Sequence, residues 1–384
     1  MKASESLPNY DSKVRESTNF IIKSIKQTCK VFPSRPAGSE DEQKAQQYVK
    51  DTMASFADEI KTQNSVVKYP KTSTPVPSGL FLIISIIFAC VAGFIPAITV
   101  YLMLSAVFCL SVALFLVSAK TKTPVQNIVC IKNPSGEIKR RIVFIGNINS
   151  PVERRLLRIS GTKLESIAVT GFLCAIFLCA VYDIFYCFFG EVPYANFVEL
   201  IFIPVAVLTM LLYNSKQVVN GANGNLTGTF DSLAVMQYLS YNNLKLENTQ
   251  LVSVSVSAGA WGAAEFLNEY GNSFGDAETV FVSVDCLQSD KWFNYTTFNM
   301  SDGLIKSAAA NSGVEIKKGK DTLSSSLIAK PGKYKAIRIS AADEKENFVY
   351  STREDVVTSL SPMAIEAGLK LSLETAYIFD EKGI

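Results

Sequence analysis

The chain has 384 residues, 48% of them hydrophobic and 19% charged, with 37 Lys and Arg against 35 Asp and Glu. Soluble domains carry about 25% charged residues, so the chain is charge-poor, and its net charge of +2 gives nucleic acid no electrostatic footprint. It contains no histidine, which excludes Ser-His-Asp and Cys-His nucleophiles and every His-ligated zinc site.

Residues 1–18 are polar and charged, which predicts no cleavable signal peptide. Apolar positions at Phe20, Ile21, Ile25 and Val31 predict a first helix. Ala45, Tyr48, Val49 and Met53 predict a second, after a turn at Pro36 to Ser39. From Gly79 to Ala119 there are 41 uncharged, mostly apolar residues, where a membrane span needs ~20. This stretch predicts a transmembrane hairpin turning near Gly93 to Pro96. Strands are expected at Gln126 to Lys132 and Arg140 to Gly146, joined by the β-turn signal Asn133-Pro134-Ser135-Gly136. A second apolar region runs from Ser166 to Gly190 and from Phe197 to Tyr213, which predicts a second hairpin. Asp183 is the ionisable residue well inside it, read either as interfacial or bonded between helices, or as functional.

A Gly/Asn loop, Asn220 to Gly228, leads into a helix carrying Leu233, Val235, Met236 and Leu239. A strand at Leu251 to Ser257, a helix at Ala260 to Tyr270 and a central strand at Thr279 to Leu287 follow. A helix near Ser301 to Ala310, a strand at Tyr334 to Ser340 and a helix from Pro362 to Phe379 complete the chain. Strands alternating with helices predict an α/β fold, a mostly parallel sheet with helices on both faces. Four transmembrane helices would be inserted in it as two hairpins. The expected division is 1–77, N-terminal helices; 78–119, first hairpin; 120–164, strands; 165–215, second hairpin; and 216–384, the remainder of the polar domain.

Lys68, Lys71, Lys120, Lys122, Arg154, Arg155, Arg158, Lys163 and Lys216 flank the apolar stretches, and the hairpin turns carry no Lys or Arg. The positive-inside rule then predicts an integral membrane protein with its polar domain cytosolic and the lipid bilayer as partner. Lys139-Arg140-Arg141 and the Arg154 to Arg158 group read either as headgroup contacts or as topology determinants. Eight cysteines show no C-x-x-C pair, so no disulfide framework is expected. Cys29, Cys130 and Cys286 read as free thiols. The sequons starting at Asn225, Asn294 and Asn299 would go unglycosylated on the cytosolic side.

Six segments in order carry a resemblance. They are Arg35-Pro36-Ala37-Gly38-Ser39-x-x-Glu42, Gly146-Asn147-Ile148-Asn149-Ser150-x-x-Glu153 and Gly221-Ala222-Asn223-Gly224-Asn225-Leu226-Thr227-Gly228. Val256-Ser257-Ala258-Gly259-Ala260-Trp261-Gly262-Ala263, the strand-end Val284-Asp285, and Tyr350-Ser351-Thr352-x-x-Asp355 follow. Together they resemble the co-catalytic di-zinc aminopeptidases, family 28 of the metallopeptidases, whose fold the glutamate carboxypeptidases and the transferrin receptor ectodomain share. The resemblance implies that fold, in a membrane-anchored branch, with two zinc ions as the family's cofactor. It places Asn147 and Ser351 where the family has histidine ligands. Gly224 stands at the bridging Asp, Ser257 at the ligand Glu and Val256 at the general-base Glu. Asp285 is the one retained ligand, and Asn149 replaces the acid that orients the first histidine.

Zinc needs three or four N, S or carboxylate ligands, so no cofactor is expected and no catalytic residue is assigned. Oxygen ligation of Ca²⁺ or Mg²⁺ by Asp285, Asn147, Asn223 and Ser351 is the remaining metal reading. Trp261 is either a core anchor or a wall of the former cleft. The function expected is a membrane-anchored pseudopeptidase with a peptide or protein partner in that cleft. The alternatives are an active metallo-aminopeptidase with atypical ligands, a redesigned copy of such an enzyme, or a small transporter or lipid-binding unit built around Asp183.

Overall fold

A computed structural model describes residues 2–70, 120–158, 217–271, 275, 277–319, 334–341 and 350–384, together with isolated helical positions at 83–84 and between 167 and 207. The chain forms two compact units. The first comprises Met1–Lys68, Lys122–Pro151 and Val218–Ile384, and the second comprises Tyr69–Thr121 and Val152–Gln217.

In the first unit, helices α1 (Tyr10–Val31) and α2 (Glu40–Met53) precede strands β1 (Glu59–Pro70), β2 (Lys120–Lys132) and β3 (Arg140–Asn147). Next come α3 (Leu226–Tyr241), β4 (Thr249–Val256), α4 (Ala260–Tyr270), β5 (Glu278–Leu287) and β6 (Phe293–Phe298). The chain closes with α5 (Gly303–Ser312), β7 (Ile316–Lys318), β8 (Lys335–Ala341) and α6 (Pro362–Lys382). The eight strands form one sheet in the order β1-β2-β4-β3-β5-β8-β6-β7. The four central strands β4, β3, β5 and β8 are mutually parallel. β2 and β6 run antiparallel to their central neighbours. The β-turn joining β2 to β3 does not make them neighbours, because β4 lies between the two.

Period-2 alternation sorts the core onto two faces. Ile142, Phe144, Val280, Val282 and Val284 join one apolar cluster with residues of α1, α3 and α6. Val143, Ile145, Val252, Val254, Val256 and Phe281 join a second with Ala263 and Phe266 of α4. β4 alternates weakly in sequence because its other face carries serine. Ser253 and Ser255 are nonetheless buried, and Ser253 Oγ donates to the Ser232 carbonyl of α3 at 2.6 Å. Every residue of α3 from Leu226 to Leu239 is buried, as expected of a helix enclosed on all sides.

The expectation of four transmembrane helices is corrected. Among the described residues no helix is long and apolar enough to cross a membrane. The two described helices of that length, α1 and α6, carry charged residues throughout; α1 buries one face in the domain core, and α6 is buried on all sides from Leu371 to Phe379. With the spans fall the bilayer as partner, the integral membrane localisation and the cytosolic orientation read from flanking charges. The error has a physical source: hydropathy summed along a sequence does not separate a span from a helix that buries one side. Within the second apolar region, Phe172 and Ala175 are buried while Ile167, Phe177 and Leu178 are exposed. Most of 79–119 and 166–213, including Asp183 and both hairpin turns, lies outside the described residues.

The basic groups have other work than lipid contact. Arg141 is buried and its Nε donates to Gln250 Oε1 at 2.7 Å. Arg140 bonds the Asp380 carbonyl at the end of α6. In the second unit Arg155 and Arg158 reach the buried Glu153 carboxylate at 3.4 and 3.8 Å.

Candidate functional site

The parallel strands deliver three of the expected positions to one edge of the sheet. Asn147 ends β3 directly opposite Val256, the last residue of β4. Ile145 pairs with Ser283, so two residues on, Asp285 of β5 reaches the level of Asn147. Alternation puts all three on the same face. The remaining positions arrive on loops. Gly224 precedes α3, Ser257 follows Val256, and Ser351 lies in the 350–355 loop. Cys286, one residue past Asp285, meets the backbone of Tyr350, which brings that loop to the end of β5.

Close approach of α3 to the sheet sets the floor of this edge. A Cβ on Gly228 would stand 1.9 Å from the Val284 carbonyl oxygen and 3.7 Å from Asp285 Oδ1, so the glycine lets the first turn of α3 touch β5. At Gly224 a Cβ would lie 2.5 Å from Tyr350 Cδ2 and 2.7 Å from Asp355 Oδ2. The room for a side chain at Gly224 is taken by the 350–355 loop.

Four buried charges at this edge are held by their own surroundings. Arg35 is fully buried, and its guanidinium donates to the carbonyls of Phe32, Ile148 (3.0 Å) and Asn220 (2.6 Å), tying three loops together. Burial lowers its pKa. Glu42 accepts from the Gly38 and Ala258 amides at 2.6 and 3.2 Å, while Ser39 Oγ caps α2 by accepting from the Glu42 amide. Asp355 accepts from the Asn223 and Gly224 amides at 2.6 and 3.1 Å. Asp285 receives the Ser283 hydroxyl at 3.1 Å and faces the buried Arg338 Nε at 3.7 Å. Burial raises all three carboxyls, Glu42 to about 7 and Asp285 and Asp355 to about 6, against the bonds and cations that favour their charged forms.

Two neutral side chains at this edge keep unused hydrogen-bonding capacity. The side chain of Asn223 is fully buried and neither its oxygen nor its nitrogen has a partner. Asn149 Oδ1 is likewise buried and unpartnered, although the Asn149 amide donates to Asn147 Oδ1 at 3.2 Å. Three non-glycine residues around the edge, Ala258, Cys286 and Ser351, hold left-handed backbone at φ of 58°, 51° and 55°. Such conformations cost about 1–3 kcal/mol each and concentrate where a fold serves a site.

Zinc does not fit this donor set. The carboxylate of Asp285 is engaged by Arg338, Gly224 has no donor side chain, and Asn147, Ser257 and Ser351 offer only amides and hydroxyls. Val256 is fully buried in the apolar cluster under α4 and offers no polar atom to this edge. Among the described residues no group of three His, Cys, Asp or Glu side chains is placed to hold a metal ion. Trp261 is 40% exposed, which rules out the core-anchor reading.

Several residues that build the edge are not evident in the sequence. Arg338 is an arginine within the apolar run of β8, and that unlikely neighbourhood is its only signal. Asn127 is fully buried and binds the Ser257 amide at 3.0 Å and the Gly262 carbonyl at 2.9 Å, with no motif to mark it.

No protein-family model matches the chain, and no curated protein matches it in sequence. Solved structures do match in fold. A glutaminyl cyclase from an Acidobacteriales bacterium aligns at 12% identity and TM-score 0.54, covering 96% of both chains. BSAP, a zinc aminopeptidase from Bacillus subtilis, aligns at 12% identity and TM-score 0.56 over 95% of both chains. A leucine aminopeptidase precursor from Bacteroides thetaiotaomicron aligns at 9% identity and TM-score 0.56, covering 94% of this chain and 96% of that one. The chain therefore has the mixed α/β fold of zinc aminopeptidases and glutaminyl cyclases.

Proposed function

We propose that this chain is a peptidase-like binding protein that holds a peptide-like partner at the carboxyl edge of its sheet and does not cleave it. One observation carries the reading. Glu42, Asp285, Asp355 and Arg35 are all committed to groups of the fold, whereas both polar side-chain atoms of Asn223 and the Oδ1 of Asn149 have no partner. Such an edge can recognise a neutral hydrogen-bonding group such as a peptide bond. Among the described residues, its buried carboxylates are all engaged rather than free to activate water, and no ligand set is placed to lower the pKa of a bound one.

The test is to incubate the purified chain with a peptide library, with added zinc and with chelator, and to measure released amino acids. No release above background is expected under either condition. Terminally blocked peptides should bind the chain, and Asn223→Leu should weaken that binding at least tenfold. Release of amino acids that chelator suppresses would establish a working metallopeptidase and overturn the reading.

A further inference from the structure

Three fully buried polar side chains meet beneath the sheet edge, on the face that α3 covers. They are Gln46 of α2, Thr229 of α3 and Ser255 of β4. Among the described residues, Gln46 Oε1, Thr229 Oγ1 and Ser255 Oγ have no hydrogen-bond partner.

Their convergence follows from how the helices lie on the sheet. Gly146 of β3 pairs directly with Ser255 of β4. A Cβ on Gly146 would stand 2.1 Å from Thr229 Cα, so the first turn of α3 rests on the sheet beside Ser255. Alternation turns Ser255 to the same face as Ser253, whose hydroxyl reaches α3. α2 closes the remaining side. Its Tyr48 packs edge-on against Phe230, the residue after Thr229, with ring centroids 6.5 Å apart. Gln46 Nε2 donates to the Gln126 carbonyl at 2.8 Å and to the Ser255 carbonyl at 3.1 Å.

The three atoms have complementary needs. Both N–H groups of the Gln46 amide are spent on carbonyls, so its Oε1 is turned away from them and can only accept. Each hydroxyl can donate and accept. Ser253 finds the Ser232 carbonyl at 2.6 Å, and the Thr229 carbonyl is itself taken by Ser232 Oγ at 2.7 Å. Ser255 and Thr229 are left with no carbonyl for their protons. A water molecule serves all three: it donates to Gln46 Oε1 and to one hydroxyl oxygen, and it accepts from the other hydroxyl. Internal waters make about three such bonds to buried polar groups. An ion would find no countercharge on Gln, Thr and Ser.

We infer that Gln46, Thr229 and Ser255 bind one internal water molecule that ties α2, α3 and β4 together beneath the sheet edge. Gln46 lies one turn beyond Glu42, whose carboxylate holds the Gly38 and Ala258 amides at that edge. The water therefore joins the two helices that frame the edge to the strand between them. It requires no partner molecule and does not depend on the function proposed above.

Thr229→Val tests the inference by the sign of its effect. Valine keeps the shape, has a similar helix propensity, and deletes a hydroxyl that bonds no described group of the protein. With water on that hydroxyl the variant loses bonds, and its denaturant midpoint should fall at unchanged slope. An orphaned hydroxyl would give the opposite shift, because a buried group without a partner destabilises the fold. Ser255→Ala should also lower the midpoint. The double variant should lose less than the two single losses summed, since the second change removes a partner of a water already gone. A crystal structure of the full chain should show one density peak about 2.7–3.2 Å from all three atoms. A raised midpoint in either single variant, strict additivity, or no such peak in the parent would overturn the inference.

Discussion

Gly228→Ala is expected to destabilise the protein by at least ~3 kcal/mol, read as a lower denaturant midpoint at unchanged slope. Alanine is the better helix former by about 1 kcal/mol, so propensity alone would favour the change. Contact decides the other way. The added methyl would meet the Val284 carbonyl at 1.9 Å, and that oxygen is the backbone of a central strand rather than the end of a flexible side chain. Relief requires α3 to lift from β5, and α3 is buried along its length. The same shift would move Asn223 and Gly224, so the variant should also lose any ligand bound at the sheet edge. A variant as stable as the parent would mean that α3 does not touch β5 as described.

Asp231→Asn is expected to stabilise the protein at pH 8 by ~2–4 kcal/mol and to flatten its stability between pH 4 and 7. Asp231 lies inside α3 and is fully buried. Its Oδ2 accepts from Ser372 Oγ of α6 at 2.7 Å, while Oδ1 has no partner. Burial pushes the carboxyl up to about 7, opposed only by that hydroxyl. Between its unfolded value near 4 and about 7, the folded chain therefore holds a proton that the unfolded chain has released. Unfolding stability must fall as pH rises through this window and level off above it. Glu42, Asp285 and Asp355 add slopes of the same sign, so the difference between parent and variant is the informative quantity. Asparagine keeps the shape and removes the charge. Denaturant titrations of both proteins at pH 4, 6 and 8 would measure the effect, and a variant less stable than the parent at pH 8 would contradict it.

The parts of the fold legible in the sequence are those where local pattern and final burial agree. The β-branched and aromatic run of β5, the helix from Ala260 to Tyr270 and the glycine loop before α3 sit where the pattern puts them. β1 and β6 were not legible. β1 mixes Lys, Thr, Gln and Asn with scattered apolar positions, and β6 is a six-residue Phe-Asn-Tyr-Thr-Thr-Phe segment; both become strands by pairing with the sheet. Insertion of β4 between β2 and β3 is likewise a long-range choice that a turn signal cannot reveal. At the candidate site, the strand ends and the glycines are reached through the motif resemblance. The burial of Arg338 against Asp285 and of Asp231 against Ser372 could not be read, because a charged letter gives no sign of being enclosed. The apolar stretches misled for the converse reason: their letters state hydrophobicity without stating what it packs against.

The proposed function rests on the sheet edge holding its buried charges by internal hydrogen bonds and ion pairs and binding no zinc. Titration of the purified, metal-stripped chain with zinc, followed by calorimetry and by metal analysis after gel filtration, tests it most directly. Less than a tenth of an equivalent of retained zinc is expected, with no saturable heat at micromolar concentrations. Retention of about two equivalents, lost on substitution of Asp285, would contradict it.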